Sequence, residues 1–220
     1  MVQWNPDLFD KYVSPDFSSF QSAEIPDIVN EYAGAKHWML DYFLNTVLRS
    51  RWKTPVYQCV ADFIRRAEWA LTSYGQARAF TLAYLDNHDP TNPTLTQYYK
   101  ALNEWETCLI QIQIALDLFR WVNKGEGAFV SGDGSAEQRC YDIANKVKHL
   151  ANDLKSEAVT EDHVTPIWSV EDGIKAIGGL SCNYEEVRTV VLDLCKLAEE
   201  LKDPLTFREN TLASRAVENH

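Results

Sequence analysis

From residue 94 to residue 124 the chain reads as one long helix, closed off by Asn92-Pro93 before it and by Lys124-Gly125-Glu126-Gly127 after it. Within it Trp105, Leu109, Ile112, Leu116 and Phe119 recur at three- and four-residue steps, which gathers them into a single apolar stripe. A stripe of this kind is core packing rather than a cofactor box, and it commits the domain to burying helix against helix. Neighbouring segments have the same character. Residues 27–50 predict a first long helix, and Pro55, tolerated in a first turn, opens a second that runs to about Asp86 and can bend at Gly75. A helix over 135–157 follows. A last one starts at Tyr184, buries Val187, Val190, Val191, Leu194 and Leu197, and ends at Pro204.

The predicted fold class is all-α, an antiparallel helical bundle over residues 27–202 with a minor extended or β element at 167–170. Gly178-Gly179 and Cys182-Asn183 mark turns before the last helix. Residues 1–26 are punctuated by Pro6, Pro15 and Pro26, with Trp4, Phe9, Tyr12, Phe17 and Phe20 between them. They predict an extended or partly helical arm that packs its aromatics against something. Residues 203–220 show little apolar periodicity and predict a flexible tail.

Charge narrows the partners. The chain holds 32 acidic and 21 basic residues, a net charge of −11, which argues against an extended nucleic-acid groove because such grooves neutralise many phosphates. Five cysteines, at 59, 108, 140, 182 and 195, form no Cys-x-x-Cys pair and predict buried free thiols in a reducing compartment. The N-terminus has neither the basic nor the apolar part of a leader, and no run approaches a membrane span, so a cytoplasmic protein is expected.

The one polar cluster that invites a chemical explanation is Asn145-Lys146-Val147-Lys148-His149. At ~100° per residue, Ile143, Val147, Leu150 and Leu154 fall in a narrow arc with Cys140 at its margin, the expected core face. Tyr141, Asn145, Lys148, His149 and Asn152 lie roughly 140° to 240° away and are expected to face outward. Ser135 with Gln138 matches a capping box at the helix start. Asn145 and His149 are four residues apart and share a face. An imidazole there can exchange a proton near neutral pH, and the amide can hold a phosphate oxygen. Arg139, Lys146, Lys148 and Lys155, set against Asp142 and Asp153, make the segment a basic island in an acidic chain. The plainer reading is that these side chains simply solvate an outer helix face.

This cluster resembles the signature of the HEPN superfamily, helical bundles associated with RNA and nucleotides, in which an Arg, a polar residue, three variable residues and a His follow one another on a late helix. Asn145 matches the polar position and His149 the His, while the Arg position is Ala144. The Asn-x-x-Lys-His form, followed by a short extended piece and a final helix, is similar to a group of bacterial members. The resemblance implies a homodimer whose two signature helices meet, with metal-independent RNA cleavage where Arg and His are both present. Ala144 has neither charge nor reach. Lys148 lies one turn on, yet an ammonium lacks the planar bidentate fork that a guanidinium offers phosphate.

Three readings follow. In the first the chain is a catalytically degenerate HEPN-like protein of a toxin–antitoxin or defence system. It binds a nucleotide, an RNA end, an antitoxin or a nucleotidyltransferase through Asn145, Lys148 and His149, with Lys146, Arg139 and Lys155 supplying charge. The second is an active ribonuclease toxin using His149 and Asn145, with Lys148 in place of the Arg. In the third, Tyr141, Asn145, His149 and Asn152 only seal a homodimer. No cofactor or metal is predicted, since His-Glu-x-x-His, Glu-x-x-His and Gly-x-Ser-x-Gly do not occur. The glycine-rich stretch 125–134 lacks the order of a phosphate cradle and reads as a connector. His37, Glu104 and Glu106 read as solvated or packing residues unless the fold brings one beside His149.

Overall fold

The computed structural model describes residues 6–49, 56–87, 94–123, 125–155 and 165–203. The expected architecture is present. Four long helices, α3 (Val56–Asp86), α4 (Leu95–Val122), α5 (Ala136–Lys155) and α6 (Tyr184–Leu201), form a bundle, preceded by α1 (Pro6–Tyr12) and α2 (Trp38–Arg49). Helix α3 packs along α4, which in turn carries α5 and α6. No helix among the described residues is long and apolar enough to cross a membrane.

Trp105 shows how the stripe of α4 organises the bundle. It is fully buried, its ring lies 5.4 Å from that of Tyr74 on α3 and 5.3 Å from that of Tyr184 on α6, and its Nε1 donates to Thr81 Oγ1 at 3.1 Å. One indole thus joins three helices and satisfies its only polar atom; burial of an aromatic of this size stabilises the fold by about 4–6 kcal/mol. The arm belongs to the same core. Phe17 meets Tyr98 edge-on at 4.9 Å, and the buried hydroxyls of Ser14 and Tyr98 are 2.7 Å apart.

One expectation about the helices needs correction. The first long helix does not begin at residue 27: Val29–Tyr32 and Ala35–His37 are 3-10 turns, and the α-helix starts at Trp38. The Asp27 side chain accepts from the Val29 amide at 3.2 Å, and Gly34 sits between the two turns, so local bonding replaces the first α-helical turns. Gly75 does not interrupt α3. It makes room for Val29, whose Cγ2 would lie 2.5 Å from a Cβ placed there.

The extended element is larger than expected. Strands β1 (Ile167–Val170), β2 (Gly173–Ala176) and β3 (Leu180–Asn183) form an antiparallel meander in the order β1-β2-β3, with Ile167 opposite Ala176 and Gly173 opposite Asn183. Gly178 and Gly179, at φ +84° and +75°, make the second turn as predicted. Cys182 and Asn183 are no turn; they end β3, and Asn183 caps α6 in a reciprocal box with Glu186. Sequence reading missed β2 and β3 because four-residue strands give too short a period-two signal. Lys175 of β2 pairs with Asp16 at 2.9 Å and so ties arm to sheet. The predicted flexible tail lies outside the described residues, apart from its first residue, Asp203.

Candidate functional site

Helix α5 begins where the sequence places it. Ser135 Oγ accepts from the Gln138 amide at 3.2 Å, and Gln138 Oε1 accepts from Gly134 N at 2.8 Å rather than from Ser135 N, which donates to Asp133. The box is therefore shifted by one residue on its return arm. Cys140, Ile143 and Ala144 are fully buried, and Val147 packs on the same core. Leu150 turns to a small cluster of Trp168, Val170 and Ile177 under the sheet. Leu154, expected in the core, is 53% exposed. Position 144, where the family signature has Arg, is thus sealed inside the subunit.

The outward stripe divides. Tyr141 and Asn145 do not face away from the core; they turn onto α4, where Tyr141 Oη donates to Asp117 Oδ1 at 3.0 Å and Asn145 Oδ1 accepts from Gln113 Nε2. Four residues forward on α4 match four back on α5, so the helices are antiparallel and these contacts form a polar seam. Gln113 is only 1% exposed, and its Oε1 has no partner among the described residues. Burial, and then the Asp117 carboxylate, hold the Tyr141 phenol above its ordinary pKa. Asn145 is committed to this seam, and a catalytic amide would have to leave it.

Beyond the seam, Lys148, His149, Asn152 and Lys155 are exposed and make no hydrogen bond or ion pair among the described residues. They sit at the C-terminal half of α5, where cations also offset the negative end of the helix dipole. The other cations leave this group. Arg139 grips Glu186 of the α6 cap through two bonds, the longer at 3.3 Å, and also the Gly134 carbonyl; the Glu186 bond raises its pKa. Lys146 lies over the β2–β3 turn, with its Cε 3.7 Å from where a Cβ on Gly178 would be.

None of the described cavities is lined by Lys148 or His149. A cleft of about 390 Å³ between α5, α6 and the sheet is lined by Arg139, Asp172, Lys175, Asn183 and Glu186, among which Arg139 is paired with Glu186 and Lys175 with Asp16. By the seam's register Glu106 on α4 comes level with Asn152, one turn from His149, and burial raises its pKa with no charged group contributing. Glu104 faces the Gln76 side chain of α3 instead. His37 is exposed. All five cysteines are free, four of them buried. Sequence reasoning missed Gln113 and Asp117, the α4 side of the seam; both lie one turn apart beside the core stripe, which is the signal that could have found them. Comparison with family models, with curated proteins and with solved structures gives no match to this chain.

Proposed function

We propose that the chain is a non-catalytic HEPN-like binding protein, of the kind found in bacterial toxin–antitoxin or defence systems, that holds a phosphate group of an RNA end or nucleotide on the exposed half of α5. One observation carries this reading. Lys148, His149, Asn152 and Lys155 present three basic side chains and an amide to solvent with nothing in the described structure to occupy them. Cleavage is not favoured, because Ala144 is buried and Asn145 is bound to Gln113, while His149 has no carboxylate or carbonyl bonded to its ring among the described residues. A two-fold dimer through this stripe brings Lys148 and His149 against their own copies, so an anion between the copies is what makes it close.

The test is fluorescence anisotropy with a short 5′-phosphorylated oligoribonucleotide, in the parent and in Lys148→Ala/His149→Ala/Lys155→Ala. Binding that falls steeply with salt and is lost in the triple variant, at an unchanged melting temperature, is the expected result. Binding equal in both, or no binding at low salt, would sink the proposal. Metal-free cleavage abolished by His149→Ala alone would favour the ribonuclease instead.

A further inference from the structure

Two cavities adjoin at the glycine-rich segment 125–134. The larger, about 530 Å³, lies between that segment, the end of α4 and the start of α5, and is lined by Asp117, Arg120, Glu126, Phe129, Tyr141 and Asp142 among others. The smaller, about 210 Å³, is walled by Leu116, Phe119, Val190, Leu194 and Leu197, with Glu137 and Asp193 at its edge. Leu116 and Ala128 line both, so the chambers share a wall and an edge. The larger falls within the usual range for ligand pockets, roughly 300–1,000 Å³, and an apolar chamber beside a polar one is the division such pockets use.

The chemistry of the walls selects a charge. Five carboxylates, those of Asp117, Glu126, Glu137, Asp142 and Asp193, face one described guanidinium, and Arg120 Nε already donates to the Gly125 carbonyl at 3.2 Å. Asp142 has no partner among the described residues, whereas Asp117 accepts only the Tyr141 hydroxyl. The Phe129 and Tyr141 rings stand 5.3 Å apart at 56°, offering π faces beside these carboxylates. Aromatic faces next to carboxylates attract an organic cation rather than an anion. An apolar chamber next door suits the remainder of an amphipathic molecule.

We propose that this two-chambered groove binds a small amphipathic ammonium compound, its cationic head between Asp142, Asp117 and the Phe129–Tyr141 rings and its apolar body against Leu116, Phe119 and Leu194. The segment 125–134 forms the roof, and Gly125, Gly132 and Gly134, at φ +97°, +89° and +69°, set its turns. This site is separate from the exposed half of α5, and its failure would leave the phosphate reading untouched.

The experiment titrates the full chain with 2-phenylethylammonium and with 3-phenylpropanoate, a carboxylate of matching ring and reach, by calorimetry and amide chemical shifts. The ammonium should saturate with Kd on the order of 1 mM or tighter, and the carboxylate should bind at least about tenfold more weakly. Asp142→Asn should weaken the ammonium about fivefold. Ala128→Phe, at an exposed position between the chambers, should abolish binding without lowering the melting temperature. Shifted amides should cluster in 125–142. Equal affinity for the two probes, binding that survives Ala128→Phe, or no saturation by about 10 mM would overturn the proposal.

Discussion

Replacing Ala144 with Arg introduces the residue that the HEPN signature carries at the corresponding place, and the structure says what that costs. Ala144 is 0% exposed, as are Cys140 and Ile143 beside it. Six added heavy atoms overpack a filled core, which costs about 1–3 kcal/mol, and an unpaired buried guanidinium costs several more. Helix propensity contributes almost nothing, since Arg ranks close to Ala. A loss of about 4 kcal/mol or more is expected, from a total stability of about 5–15 kcal/mol for a domain of this kind. For a chain of this length that is a fall of about 8–16 °C in melting temperature, if the variant folds at all. Lys148→Arg is the control, since position 148 is exposed and should move stability by less than about 0.5 kcal/mol. Circular dichroism melts of the three proteins, with a metal-free RNA cleavage assay beside them, decide the matter. An Ala144→Arg protein that melts within about 3 °C of the parent and cleaves RNA would show that position 144 reaches a catalytic surface, and would refute the buried placement.

Asn145→Ala takes from the buried Gln113 amide its Asn145 acceptor and should cost about 1–3 kcal/mol, whereas Gln113→Leu/Asn145→Leu should recover most of it; a double-mutant cycle in urea measures the difference. Burial raises the Glu106 pKa, so its protonated form suits the fold: the contribution is full below the ordinary value of about 4.3 and is lost as pH rises through the raised one. Glu106→Gln should therefore stabilise the protein at pH 7 and leave it unchanged below about pH 4, and a gain of equal size at both pH values would refute this. Gly173→Ala places a Cβ 2.2 Å from the Cys182 carbonyl oxygen, a backbone atom that cannot swing away, and should lower stability by at least about 2 kcal/mol in thermal melts. With an aromatic disulfide reagent, Cys59 should react in the native protein, and Cys108, Cys140, Cys182 and Cys195 only on unfolding.

The bundle was legible because its helices are long and each has one dominant apolar stripe. Trp105, Leu109, Ile112 and Leu116 are all buried, and so are Val187, Val190, Val191 and Leu194. Where an element is short, tertiary packing outweighed the local pattern. Cys182 and Asn183 read as turn formers by composition, yet the strand pairing of Ile174 with Cys182 holds the first in the sheet, and the second caps α6. The start of α2 failed for a related reason. Asp27 and Gly34 offer competing local bonds, and Val29 packs at Gly75, so the 3-10 turns are stabilised by contacts that a helical wheel cannot contain.

The site was legible in composition but not in direction, and helix α5 shows why. Counting arcs at ~100° per residue assumes one neighbour and therefore one buried face. Helix α5 has three, since it touches α4, α6 and β3. Two adjacent supports bury a wider arc than one, and the residues at its edges become the seam. That is why Tyr141 and Asn145, predicted to face outward, bond to Asp117 and Gln113 of α4, while Arg139 on the other flank bonds to Glu186 of α6. Leu154 is exposed despite its place on the apolar arc. Among the described residues of its C-terminal half, Lys148, His149, Asn152 and Lys155 are exposed and unclaimed, past the seam. A phosphate group is what three basic side chains and an amide in one exposed stretch are chemically suited to hold.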